Sequence, residues 1–232
     1  MSHLQQEKTF TKEITVTVTR RYLLYLPTDY DAGQDRRWPL VLFLHGSGER
    51  GDDVQLVTQQ GLPKLVEEGE NFPFLLVSPQ CPERGWWTTE ENSAALAALL
   101  DEIEQNYAVD PDRVYVTGLS MGGYGTWALA TAYPQRFAAI VPICGGGDPE
   151  TVCAIRHVPA WVFHGENDEL VPLHKARVMV DALQACGGNV RLTTYPGVGH
   201  DSWTRTYANP ELYRWLLDQR RTGSSEGTLT LS

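Results

Sequence analysis

Residues 118–122 read Gly-Leu-Ser-Met-Gly and fit the pattern G-x-S-x-G. They follow the apolar run Val114 to Thr117 and open a helix-forming stretch, Met121 to Tyr133. A nucleophile elbow needs that context: a sharp strand-to-helix turn that lifts a serine hydroxyl above a sheet. The glycines two residues either side let neighbouring segments approach, and the helix N-terminus favours a developing negative charge. The chemistry predicted is acyl transfer on Ser120. The competing reading is an ordinary glycine-rich turn holding an incidental serine.

A serine hydroxyl is a weak nucleophile at its own pKa, so a base and an orienting acid are needed, in the chain order nucleophile, acid, histidine. His200 is the expected base: of six histidines it alone comes late, in a glycine-flanked loop (YPGVGHDSW, 195–203) after a strand. Asp168, in the turn that ends VFHGENDELVP (162–172), is the expected acid, with Glu166 its nearest rival. Asp201, beside His200, reads as a loop carboxylate, because adjacent side chains rarely face each other. The glycine-rich loop His45-Gly46-Ser47-Gly48 exposes backbone amides, and the amides of Ser47 and Met121 are the expected oxyanion donors. His45 is expected to hold that loop.

These residues need a frame. Short apolar runs at Pro39–Leu44, Phe74–Val77, Val114–Thr117, Ala138–Ile143 and Ala160–Phe163 suit strands buried on both faces of a parallel sheet. Helical stretches lie between them, at Ser93–Tyr107, Met121–Tyr133 and Leu173–Cys186, with a last one at about Pro210–Asp218. The alternation predicts a doubly wound α/β sheet with right-handed crossovers. Residues 13–26 read as two further strands. A single domain is expected over residues 1–221, with a loose C-terminal tail over 222–232.

Composition narrows the partners. The 232 residues carry 19 basic and 29 acidic side chains, a net charge of -10 that disfavours nucleic acid and anionic lipid. No apolar run has the length of a membrane span, about 20 residues. No signal peptide is visible in MSHLQQEKTF, which favours a cytoplasmic location and leaves a secreted mature chain open. The four cysteines (Cys81, Cys144, Cys153, Cys186) lack metal spacing and are expected as free thiols, with a Cys144–Cys153 bridge as the alternative.

Five motifs in order, FLHGSGERGDD (43–53), VSPQCPERGWW (77–87), TGLSMGGYGTW (117–127), HGENDELVP (164–172) and GVGHDSW (197–203), resemble the α/β-hydrolase superfamily. Within it they are similar to the esterase, predicted-peptidase and feruloyl-esterase-like branch related to dienelactone hydrolases. The resemblance implies an α/β-hydrolase fold with a mostly parallel central sheet and helices on both faces. It also implies a serine carboxylesterase. Dienelactone hydrolases use a cysteine at the elbow, where this chain has Ser120.

Only Cys144 to Val158 separates the apolar run ending at Ile143 from the next, too short a stretch for a lid domain, so an open cleft is expected. Trp87 and Trp203 are candidate cleft walls, suited to short-acyl or aryl esters; core packing is the competing reading for both. The expected partner is a small-molecule ester, and neither metal nor organic cofactor is required. Oligomeric state stays open. A serine peptidase, a feruloyl or acetyl-xylan esterase and a non-catalytic binding module of the same fold remain as alternatives.

Overall fold

The computed structural model describes residues 17–33 and 35–221. The predicted 222–232 tail and the start of the 13–26 segment lie outside them. The elements run β1 (Tyr22–Tyr25), β2 (Trp38–Leu44), α1 (Gly61–Glu67), β3 (Leu75–Pro79), α2 (Glu90–Asn106), β4 (Val109–Leu119) and α3 (Met121–Ala132). Then follow β5 (Ala139–Ile143), β6 (Ala160–Gly165), α4 (His174–Ala185), β7 (Val190–Tyr195), α5 (Trp203–Tyr207) and α6 (Pro210–Asp218). Of the two strands expected within 13–26, only β1 appears among the described residues.

The strands form one sheet in the order β1-β3-β2-β4-β5-β6-β7, parallel except for β1, which pairs antiparallel with β3. The chain passes from β2 to β3 on one side, then returns past β2 to lay β4 on the other. The order therefore reverses at β2 and β4, and the crevice at their C-terminal ends is where open α/β sheets place their sites.

Alternate residues of one strand face opposite layers, and here both layers are apolar. Leu40, Leu42, Leu44, Val114 and Val116 pack with Leu96, Leu100, Leu129 and Leu183 from α2, α3 and α4. Val41, Phe43, Tyr115 and Val141 pack instead with Leu62, Leu212 and Leu216 from α1 and α6. This explains the unbroken apolar runs. Thr89 caps α2, accepting the Asn92 N–H at 3.3 Å, so that helix starts three residues before the expected Ser93.

Between β5 and β6 there is only a 3-10 turn, Val152–Ile155, and no lid domain. The expectation for the cysteines is corrected there. Cys153 in that turn is disulfide-bonded to Cys186 at the end of α4, while Cys81 and Cys144 are free and buried. Neither four free thiols nor a Cys144–Cys153 bridge describes the chain. No helix among the described residues is long and apolar enough to cross a membrane.

Candidate active site

Ser120 stands between β4 and α3 with φ 54° and ψ -114°, a conformation that L-residues rarely adopt. Its N–H donates to Ile143 O at 3.0 Å, and its carbonyl accepts the Tyr124 N–H at 3.1 Å. The turn is this tight because α3 presses against the end of β2. A Cβ on Gly122 would collide with the Leu44 carbonyl oxygen. Glycine is required there by close approach, and the serine is held out of the sheet as a result.

The loops after β6 and β7 bring the remaining groups to the same edge. The Asn167 N–H donates to Val198 O at 2.9 Å, and Gly165 lies so close to the Val198 and Gly199 carbonyls that no Cβ fits. His200 Nε2 then lies 2.9 Å from Ser120 Oγ, and His200 Nδ1 lies 2.7 Å from Asp168 Oδ2. Asp168 is buried, and its other oxygen, Oδ1, accepts the N–H groups of Leu170 (3.0 Å) and Val171 (2.9 Å). The carboxylate is thus fixed by the backbone before it meets the imidazole. Glu166, the rival, is exposed and accepts a hydrogen bond from Thr194 Oγ1 at 2.7 Å. Asp201 accepts from the N–H and hydroxyl of Thr204 at the start of α5 (3.0 and 2.9 Å), away from His200 Nδ1.

Two neighbours were not singled out by sequence reasoning. His164 Nε2 donates to Val171 O at 2.7 Å and lies 3.3 Å from Asp168 Oδ2, and burial pushes its pKa down. Its place four residues before Asp168 in one motif was the available signal. Cys144, with φ 40°, receives the Ser120 N–H on its sulfur at 3.3 Å. Burial pushes its thiol up to about 12. The ligand atoms of Cys144, Asp168 and His200 lie within 4.8 Å of one another. The carboxylate and imidazole there already bond each other, and the thiol is protonated, so the set suits proton transfer better than metal binding.

Ser47 and Met121 each begin a helix, the former a 3-10 turn over Ser47–Glu49, the latter α3. An N–H in that position has no acceptor within its own helix and is free to face a ligand. Gly46 lies against Leu119, which brings the two segments together. His45 is fully buried: its Nε2 accepts the Cys81 N–H at 2.9 Å and its Nδ1–H donates to Gly46 O at 2.5 Å. Burial lowers its pKa to about 4, so it is a neutral brace for the loop.

Trp87 is not a cleft wall. Its indole is 1% exposed, packs edge-on against His45 and donates Nε1–H to His45 O at 3.0 Å. The missing Cβ of Gly125 admits it under α3. Trp203 does reach the site: its ring lies edge-on to His200 at 5.4 Å, with Nε1–H bonded to Gln60 Oε1 at 3.0 Å.

Known proteins resemble this chain in sequence and fold. Residues 80–211, more than half of the chain, match the dienelactone hydrolase family. A probable feruloyl esterase C of Aspergillus niger is 26% identical over 201 residues, covering 81% of this chain and 69% of its own. A probable carboxylesterase of Oryza sativa subsp. japonica is 26% identical over 224 residues, covering 83% and 93%. A crystal structure of a thermostable esterase superposes with a TM-score of 0.76 at 39% identity, over 86% of this chain and 59% of that longer one. The chain belongs to the dienelactone hydrolase family and stands among the carboxylic ester hydrolases of the α/β-hydrolase fold.

Proposed function

We propose that this chain hydrolyses short-acyl or aryl carboxylic esters through an acyl-enzyme on Ser120. One observation carries the reading: the unbroken line from Ser120 Oγ through both nitrogens of His200 to Asp168 Oδ2, at 2.9 and 2.7 Å. His200 Nε2 takes the serine proton as Oγ attacks the ester carbonyl, while Asp168 orients the ring and stabilises the imidazolium. The amides of Ser47 and Met121 receive the oxyanion. Collapse of the tetrahedral adduct expels the alcohol, which takes the proton from His200. Water then repeats the sequence to release the acid.

Support for aryl esters comes from the Trp203 indole beside His200 and from the feruloyl esterase relatives. The short β5–β6 connection leaves no lid to hold a long acyl chain. Ser120→Ala should fold normally and lose p-nitrophenyl acetate turnover, and a fluorophosphonate should label Ser120 in the folded wild type. Wild-type turnover by the variant would overturn the assignment. A screen of esters by acyl length, with methyl ferulate included, tests the substrate class: preference for a long-chain ester would contradict it.

A further inference from the structure

The oxyanion donor Ser47 stands between Gly46 and Gly48, in the most freely rotating kind of backbone. An oxyanion hole works only if its donors are held in place before the reaction. Something must therefore lock this peptide. In a trans peptide the carbonyl of one residue and the N–H of the next point in opposite directions. Gly46 O and Ser47 N–H belong to one such unit. His45 Nδ1–H holds Gly46 O at 2.5 Å, and the Cys81 N–H on Nε2 leaves the ring proton no other place. The ring thus points the Ser47 N–H away from the core.

That fixes the peptide after Gly46, and the peptide before it, which carries the Gly46 N–H, is faced by Glu49. Its residue is 7% exposed, and Oε2 is buried with no hydrogen-bond partner among the described residues. A carboxylate is costly to bury and persists only where it is bonded. This one faces the amides of Gly46 and of Glu49 itself, which draw its pKa down against the larger upward push of burial. Oε2 lies 3.8 Å from His45 Nδ1, and a Cβ on Gly46 would sit 3.2 Å from it. The Glu49 carbonyl is in turn anchored by Gln80 Nε2 at 2.9 Å.

We propose that Glu49 is a positioning residue for catalysis: its carboxylate clamps the Gly46 amide opposite His45, so that the Ser47 N–H is aimed at the oxyanion. The proposal rests on the esterase reading above. Glu49 touches no substrate; it acts through the backbone torsions of Gly46, which link the two peptides, and the loss on its removal falls on the transition state.

The test compares Glu49→Ala and Glu49→Gln with wild type in p-nitrophenyl acetate hydrolysis and in binding of phenylboronic acid, whose adduct on serine mimics the tetrahedral intermediate. Removing a whole oxyanion donor costs about 100- to 1000-fold, so a loosened one in Glu49→Ala should cost about 10- to 100-fold in kcat with KM nearly unchanged. Boronate affinity should fall in parallel. Glu49→Gln keeps an acceptor for the Gly46 amide and should recover most of both. Unchanged kcat and boronate affinity in Glu49→Ala overturn the proposal. So does a loss that tracks a lowered Tm and is not recovered by glutamine, which marks a purely structural role. If wild type itself neither turns over esters nor binds the boronate, the esterase reading is what fails.

Discussion

Asp168→Asn exposes the logic of the site most sharply, because the backbone decides which way the amide must face. Oδ1 of Asp168 accepts two N–H groups, from Leu170 and Val171, at 3.0 and 2.9 Å. Asparagine has one acceptor and one donor end, so its carbonyl must take that position. Its NH2 group then replaces Oδ2, at 2.7 Å from His200 Nδ1 and 3.3 Å from His164 Nε2. A donor facing Nδ1 forces the ring proton onto Nε2, the nitrogen that must accept the serine proton. The wrong tautomer is therefore enforced by two hydrogen bonds remote from the reaction. The loss expected for such a tautomer is about 10,000-fold in kcat, about 5.5 kcal/mol of barrier. Asp168→Ala removes the orienting group without enforcing the wrong tautomer, and should retain more activity than Asp168→Asn. Stopped-flow acylation with p-nitrophenyl acetate, with circular dichroism to verify folding, gives the ranking. Asparagine within about tenfold of wild type, or more active than alanine, would refute the argument.

Ser120→Gly should abolish turnover yet raise stability by about 1 kcal/mol, since glycine relieves a φ of 54°; a lowered Tm would count against strain at the elbow. His45 stays neutral in the fold down to about pH 4, whereas the unfolded residue takes up a proton below its ordinary value of 6.5. The unfolded state therefore binds more protons in that window, and His45's contribution is complete above pH 6.5 and falls by about 3 kcal/mol toward pH 4. Glu49, raised by the same burial, opposes this, so urea unfolding of wild type against His45→Gln at both pH values isolates the histidine; equal pH slopes would contradict it. Replacing Cys153 and Cys186 by serine should cost about 3–4 kcal/mol for a loop spanning 33 residues, with turnover retained in the folded fraction. Iodoacetamide should leave activity intact, because the two free thiols are buried; inactivation with alkylation of Cys144 would assign the sulfur a role in the reaction.

What could be read from the chain was what is local. The elbow is five consecutive residues with a strand before and a helix after, so its pattern is complete in sequence even though Ile143, Cys144 and Leu44 complete its contacts in space. Helix and strand runs were legible for the same reason, because both layers against the sheet are apolar. Through-space facts were not. Nothing in the spacing of 33 residues marks Cys153 and Cys186 as a pair, for α4 must first pack on the Val152–Ile155 turn. Trp86 and Trp87 are equivalent as letters, yet the first is 48% exposed and the second 1%. The choice is made by Gly125, on another element, whose missing side chain leaves room for one indole. The short helices α1 and α5 went unforeseen because five to seven residues hold too little periodicity to register.

The site holds two nucleophile types, the Ser120 hydroxyl and the Cys144 thiol whose sulfur receives the Ser120 N–H, and environment decides between them. Sulfur is intrinsically the better nucleophile, and it acts as thiolate. Cys144 sits in the floor of the site with its pKa pushed to about 12, and burial is the main cause. Its sulfur accepts the Ser120 N–H, the geometry of a support. Ser120 Oγ has a base 2.9 Å away, aligned by a carboxylate that the backbone holds from behind. Moving the proton from oxygen is easy here because the acceptor is in place; moving it from sulfur would put a charge where burial outweighs the hydrogen bonds from Ser120 and Ser202. The left-handed backbone at both residues, φ 54° and 40°, serves one geometry: at the ends of the adjacent strands β4 and β5 it sets the Cys144 sulfur against the Ser120 N–H.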